Sequence, residues 1–334
     1  MEGISPLKAA HRLSIESLDD FTTLWRKHRE TLSWTCPFVL PPWVNAWWKV
    51  FGHGTRPLIT VLRHGECVTG IAPLMVRDKT VQFLGSSDLC DYFDFIVARD
   101  NETRFFLTLF AEMSAQGIKD MDLGPMRPDA TVRKFLSKQD LVDNMECHVA
   151  QEDVFSELDL PNTWDGFLGA LTGKQRHELR RKLRRLQEVG DIRFRRVDNI
   201  AHLSEAMEIF LRLFTMNRED KAAFMTPSMV SFFQTLASAL ADEGLLRLFL
   251  LDVDKKPVAS VFCVDHQGTR YLYNNGYDHA YQGLSVGLIS KVLSLKTAID
   301  DGLRCYNFLK GGETYKRHLG GKEIPLSRCR ITLR

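Results

Sequence analysis

Several signatures that would point to a function at once are missing from this sequence. Its seven cysteines, at 36, 67, 90, 147, 263, 305 and 329, form no C-x-x-C pair, which removes the common zinc and dithiol motifs. The ten histidines include no H-E-x-x-H, and no metal is expected. No run approaches the roughly eighteen apolar residues of a membrane-spanning helix. Met1–Leu13 carries Glu2, Lys8, His11 and Arg12 without an apolar core, so no leader peptide is expected and the address reads as cytoplasmic. Neither sign of charge dominates: 44 basic against 42 acidic side chains leave a net charge of +2. No overall field therefore draws nucleic acid, and any such role needs a local patch. The stretch Gly169-Ala-Leu-Thr-Gly-Lys-Gln175 has its first glycine one place away from a phosphate loop. It also has Gln175 where a magnesium-binding Ser or Thr belongs.

What is present is an ordinary globular mixture, 44% hydrophobic and 26% charged, on a chain long enough for two domains. In the C-terminal half, Leu203, Met207, Phe210, Leu211 and Phe214 recur at helical spacing. Thr226 followed by Pro227 is a helix start, and Gly244 closes that helix. Three strand-like runs follow, Leu246–Val253, Val258–Val264 and Arg270–Tyr277, joined by short polar turns that favour an antiparallel meander. A glycine-containing loop, a helix through Leu288, Val292, Leu295 and Ile299, and a strand Arg304–Leu309 come next, with Cys329–Leu333 a last short strand. Cys67, Cys263, Cys305 and Cys329 lie in or at the ends of apolar strands and read as small buried hydrophobes.

The N-terminal half repeats this order. Helices are expected over Leu18–Arg29 and after Pro41-Pro42, the second carrying Trp43, Trp47, Trp48 and Phe51, whose tryptophans read as core from their i, i+4 spacing. Strands are expected at Leu58–Arg63, Cys67–Val76, Thr80–Leu84 and Phe93–Val97, then a helix over Thr103–Gln116 and a strand Lys119–Leu123. His64-Gly-Glu-Cys-Val68 corresponds to Asp254-Lys-Lys-Pro-Val258 at an offset of 190, and Asp122-Leu-Gly to Asn307-Phe-Leu at 185. A repeat this long means duplicated domains. The expectation is an α+β protein of two similar halves, 1–160 and 161–334. Each half is a mixed, mostly antiparallel sheet flanked by helices.

Three places carry chemistry. Gln282, Gly283, Leu284, Ser285, Val286 and Gly287 lead into a helix start, where backbone N–H groups and the helix dipole suit a diphosphate, and glycines allow close approach. Asp91, Tyr92 and Asp94 stand beside an aromatic strand and read as a wall for an amine or sugar acceptor, with a solvated strand end as the bland alternative. Lys174, Arg176, Arg180, Arg181, Lys182, Arg184 and Arg185 crowd one helix over a Leu179, Leu183, Leu186 stripe. Such a helix suits a phosphorylated acceptor, tRNA or an anionic membrane surface, or is simply solvated.

Taken with Asp91-Tyr-Phe-Asp94, the segments Lys174–Lys182, Gly276-Tyr-Asp278, Leu284-Ser-Val-Gly287 and Tyr306-Asn-Phe-Leu-Lys-Gly-Gly-Glu-Thr-Tyr-Lys316 resemble the CelD-like acyltransferases. These belong to the GNAT superfamily and are related to the FemABX aminoacyltransferases. The resemblance implies a tandem GNAT fold, with acetyl-CoA or another acyl-CoA as co-substrate in the C-terminal half. It places a backbone oxyanion donor at Asn275-Gly276 and a proton donor to the leaving thiolate at Tyr315, with Glu313 beside it as a candidate base or a helix-start carboxylate. Lys310, Lys316 and Arg180 are read as acceptor-binding. Ser285 departs from the pattern, standing where the pyrophosphate loop usually has glycine. The expected activity is acyl transfer to an amine or hydroxyl of a sugar, peptide or cell-envelope precursor in a cleft between the halves. Aminoacyl transfer from charged tRNA and an inactive GNAT-like binding module are the alternatives.

Overall fold

The structure, a computed structural model, describes residues 11–138, 145–217 and 223–334. The segment Met1–Leu13 read for a leader lies mostly outside the described residues. The chain divides into two compact units, Met1–Glu152 with Pro325–Arg334, and Asp153–Ile324.

The first unit begins with β1 (His11–Glu16), α1 (Leu18–Lys27), α2 (Pro41–Phe51), β2 (Arg56–His64), β3 (Cys67–Arg77) and β4 (Thr80–Phe83). It continues with a short β5 (Ile96–Val97), α3 (Glu102–Ala115), β6 (Asp120–Met126) and α4 (Thr131–Leu136). Strand β7 (Met145–Asp159) starts in this unit and ends in the second. The second unit holds α5 (Trp164–Ala170), α6 (Gly173–Gln187), β8 (Ile192–Arg196), α7 (Leu203–Asn217) and α8 (Pro227–Asp242). Then come β9 (Leu246–Val253), β10 (Lys256–His266), β11 (Thr269–Tyr277), α9 (Val286–Asp300), β12 (Cys305–Lys310) and α10 (Thr314–His318). The last strand, β13 (Lys322–Leu333), starts in the second unit and ends in the first.

Local chemistry starts these helices. Ser17 and Asp20 form a capping box on α1, as Thr172 and Gln175 do on α6. Thr226 accepts from the Met229 N–H at the start of α8, where Pro227 occupies the first turn as the sequence led one to expect.

The two units share a topology. In the first, strands run β1-β2-β3-β4-β6-β13: β1 to β4 are antiparallel neighbours, β4 and β6 are parallel, and β6 and β13 antiparallel. In the second, β8-β9-β10-β11-β12-β7 repeats every sense: antiparallel through β11, parallel for β11 and β12, antiparallel for β12 and β7. The parallel step in each is bridged by a helix, α3 or α9, because a parallel pair needs a crossover. The sixth strand in each case comes from elsewhere in the chain. Cys329–Leu333, assigned from sequence to the C-terminal half, instead pairs with β6 through Cys329↔Leu123 and Ile331↔Met121. Of the expected strand Phe93–Val97, only Ile96–Val97 pairs in a ladder, while Phe93 makes an isolated bridge to Met126.

Phe83, Phe93, Phe95, Phe105 and Phe106 fill the first core, with ring centroids 4.9 to 5.1 Å apart across Phe83–Phe93, Phe83–Phe95 and Phe105–Phe106. Trp43 and Trp47 are buried there too, so their i, i+4 spacing is core packing. The second core gathers Phe249, Val261, Cys263, Leu272, Val292, Leu295, Tyr306 and Phe308. Cys263 and Cys329 are buried as small hydrophobes, but Cys67 is exposed beside the β2–β3 turn and Cys305 is only half-buried.

Candidate active site

The central feature of the second unit is a pair of parallel strands that part company. β11 and β12 are joined only through Thr269↔Cys305, Arg270↔Tyr306 and Tyr271↔Asn307. β11 continues to Tyr277 and β12 to Lys310, so beyond that level their facing backbone groups are not paired with one another. Each strand bends at that height. On β11, Phe262 faces Asn274 and Cys263 faces Leu272, leaving Tyr273 as a bulge residue. On β12 the register against β7 slips between Asn307 and Leu309. Leu309 adopts φ 61°, a left-handed backbone that costs a branched side chain energy. Asn307 holds it there: its Oδ1 accepts from the Leu309 N–H at 2.8 Å, and its Nδ2 donates to Glu157 at 2.8 Å.

β11 runs out into a loop anchored by Asp278. One carboxylate oxygen accepts from the Ala280 N–H at 2.9 Å, and the other meets the Lys256 ammonium at 3.1 Å. Burial works against the Asp278 charge, but the Ala280 N–H and Lys256 outweigh it and hold its pKa below the usual value. A 3-10 turn over His279–Leu284 follows, and Ser285 then takes φ 58°, ψ 31°, the left-handed conformation that glycine would adopt without strain. Its hydroxyl accepts from Lys182 of α6 at 3.2 Å. Helix α9 starts at the next residue with no side-chain cap from Ser285.

The six loop residues have different roles in this geometry. Gln282 and Gly283 are exposed, and a Cβ at Gly283 would meet nothing within 4 Å. Val286 is wholly buried in the core. A Cβ on Gly287 would lie 2.5 Å from the Tyr277 ring. Gly287 is therefore a packing glycine that seats α9 on β11. Gly276 is of the same kind: a Cβ would overlap the backbone of Leu213 and Phe214, so it is required for α7 to lie on β11. Asn275 beside it is half-buried.

Tyr315 sits at the second position of α10, against Phe308 with ring centroids 6.3 Å apart. The Lys291 ammonium of α9 lies 4.5 Å from the Tyr315 ring centroid. The hydroxyl has no hydrogen-bond partner among the described residues, and burial together with the nearby Glu313 charge pushes its pKa well above that of free tyrosine. The phenol consequently stays protonated at neutral pH, the form a proton donor needs. Glu313 is different. Partial burial acts against its charge, but the Lys316 ammonium at 2.8 Å more than offsets this and keeps the carboxyl below its usual range. A carboxylate so held is a weak base.

Lys316 was read as acceptor-binding, and the structure assigns it elsewhere. Only 1% exposed, its Nζ donates to the carbonyls of Leu309, Lys310 and Gly311 at 3.0, 2.7 and 2.9 Å. Every donor is thus committed to closing the turn after β12. Lys310 itself is half-buried on that turn.

In the first unit, Asp94 is likewise an internal partner. Its Oδ1 accepts from the Phe95 N–H at 2.8 Å, the Thr131 N–H at 2.9 Å and the Thr131 hydroxyl at 2.7 Å, capping α4 from another segment. Burial raises its pKa to about 6 against these bonds. Tyr92 is buried edge-on to Phe38 at 5.2 Å, with the Arg127 guanidinium 5.5 Å from its ring centroid. Asp91 is half-buried. Asp94 and Tyr92 are thus spent on hydrogen bonds and packing within the unit.

On α6, Leu179 and Leu186 are buried while Lys174, Arg180, Arg181, Arg184 and Arg185 are exposed. Arg181 forms a two-pronged pair with Glu178 at 2.9 Å, and Arg180 has no partner among the described residues. Sequence reading did not single out Lys256, Lys291 or Asn307. Lys256 ends a polar turn, while Lys291 and Asn307 each stand among apolar neighbours, and none was given a site role. Among the described residues no three His, Cys, Asp or Glu side chains are grouped as a metal ion would require, and no helix is long and apolar enough to cross a membrane.

Residues 173–317, which include the parting strands, the loop and α9, match the family described as acetyltransferase (GNAT) domain. Residues 173–317 have the GNAT fold. The whole fold is of the tandem GNAT, FemABX-like kind. It is similar to FemX at TM-score 0.64 and 12% identity, with 95% of this chain and 96% of that one covered. L-PGS from Bacillus licheniformis is similar at TM-score 0.54 and 11% identity, over 86% of this chain and 90% of that one. A tandem GNAT protein from the clavulanic acid biosynthesis pathway is similar at TM-score 0.50 and 11% identity, over 97% and 98%. No curated protein matches the sequence.

Proposed function

We propose that the protein transfers an acyl group from acyl-CoA, held by the GNAT domain, to an amine or hydroxyl of a sugar, peptide or envelope precursor. The observation that carries this reading is the parting of β11 and β12 after Tyr271 and Asn307, directly before the loop and α9. A flat, amide-bearing arm laid in that gap meets strand backbone on both sides, as an added strand would. The diphosphate then falls at Gln282, Gly283 and Ser285, where Gly283 leaves room, Lys182 supplies a cation and α9 presents its positive end. A backbone N–H near Asn275 polarises the thioester carbonyl. The acceptor forms its bond to the acyl carbon, the carbon–sulfur bond breaks, and Tyr315 protonates the departing thiolate. The acceptor's proton passes through water to Glu313, which Lys316 holds in place.

Calorimetric titration with acetyl-CoA and longer acyl-CoAs tests the donor, with Gly283→Asp as the paired variant. Absence of binding by any acyl-CoA to folded protein would sink the reading. A second reading, aminoacyl transfer from charged tRNA, has support in the similarity to FemX and in the exposed cations of α6. It predicts binding of charged tRNA that weakens steeply with salt, where acyl-CoA shows none.

A further inference from the structure

Two thiols in the first unit are already in contact. Cys147 on β7 and Cys329 on β13 hold their Sγ atoms 2.9 Å apart, on strands adjacent in the sheet. Cys147 is exposed to reagents and Cys329 is buried behind it. The sulfurs need to approach by only about 0.9 Å to reach bonding distance, and the strands bring them together without rearrangement of the fold. We propose that Cys147 and Cys329 are a reversible disulfide site, closed by a low-molecular-weight disulfide such as oxidised glutathione.

The chemistry divides between the two residues by their surroundings. A hydrogen bond from Cys329 stabilises the Cys147 thiolate and the Arg133 charge adds to this, overcoming partial burial and lowering its pKa. The Cys329 thiol is pushed the other way, by its bond to Cys147 and by burial. Cys147 is therefore the attacking sulfur. Its thiolate displaces one glutathione thiolate and becomes a mixed disulfide. Cys329 then loses its proton to solvent and attacks the Cys147 sulfur, forming the Cys147–Cys329 bond and releasing the second glutathione thiolate. Two protein thiols are oxidised, and one glutathione disulfide is reduced to two thiols.

The bond joins residues 182 apart in the chain, so the closed loop contains all of Asp153–Ile324. It would fasten the final strand, otherwise held through pairs such as Ser327↔Met126 and Thr332↔Asp120. Closing so long a loop restricts the unfolded chain strongly, so oxidation should raise Tm by several degrees.

The test is to incubate the native full-length protein with oxidised glutathione, block remaining thiols and map peptides without reduction. The expected result is a Cys147–Cys329 linked peptide, an intact mass lower by about 2 Da, and full reversal by dithiothreitol. Cys329→Ser should stop at Cys147 carrying glutathione and show no rise in Tm on oxidation; Cys147→Ser, at an exposed position, should leave Cys329 unmodified. Native wild-type protein that accumulates glutathione on Cys147 without the linkage overturns the proposal. So does a linkage that forms only in urea. Neither result bears on the donor site, which lies in the other unit.

Discussion

Replacing Tyr315 with phenylalanine removes one oxygen from a side chain whose hydroxyl has no hydrogen-bond partner among the described residues. The edge contact with Phe308 and the position under the Lys291 ammonium survive, because both belong to the ring. No buried partner is orphaned, so unfolding free energy should change by less than about 0.5 kcal/mol. If the phenol protonates the leaving thiolate, turnover should fall by ~10²-fold or more, equivalent to roughly 2.7 kcal/mol in the barrier. Donor affinity, measured by calorimetry, should be unchanged, since the lost interaction exists only as sulfur becomes charged. Release of CoA thiol, followed with a chromogenic disulfide at saturating donor, gives kcat directly. The raised phenol pKa adds a second signature: the wild type should show no loss of rate from this group between pH 6 and about 10. A Phe variant with wild-type kcat would refute the assignment. Glu313, held by Lys316, would not easily replace it.

Lys316→Met should destabilise the protein by about 2–4 kcal/mol in denaturant titration, because three carbonyls and Glu313 lose a common donor; an unchanged midpoint would show that water replaces the ammonium. Gly283→Asp, in open space, should keep stability and weaken acyl-CoA binding at least several-fold. Gly287→Asp, placed against the Tyr277 ring, should instead unfold the domain more easily, and a stable Gly287→Asp protein would contradict the packing role. The folded Asp94 binds its proton more tightly than the unfolded chain does, with a pKa raised from 3.8 to about 6. Stability should therefore fall as pH rises through that window, and Asp94→Asn should lose this dependence in urea titrations at pH 4 and pH 7.

Much of the fold was legible because it is written locally. The meander β9-β10-β11 shows as apolar runs cut by short polar turns, and Leu246–Val253 was expected with the bounds it has. The helix start at Thr226 rests on one side chain accepting from the backbone N–H three residues on. β1 and β8 were missed, being short edge strands of mixed polarity whose identity comes from their neighbours β2 and β9.

By itself the sequence determined the duplicated order of helices and strands, the loop before α9 and the tyrosine after β12, since each rests on residues close together in the chain. Tertiary structure alone decided what individual residues there do. Gly276 and Gly287 look like loop glycines, yet the bodies that exclude a side chain are α7 and the Tyr277 ring. Asp94 looks like a free acid until Thr131, 37 residues on, brings it two donors. Lys316 looks like a surface cation until the turn after β12 folds three carbonyls around it. The sheet that β13 joins follows from which edge remains open once the other strands have paired. Spacing along a chain records the period of an element but not the partner across the gap, and it is the partner that decides whether a polar group is spent on the fold or left for chemistry.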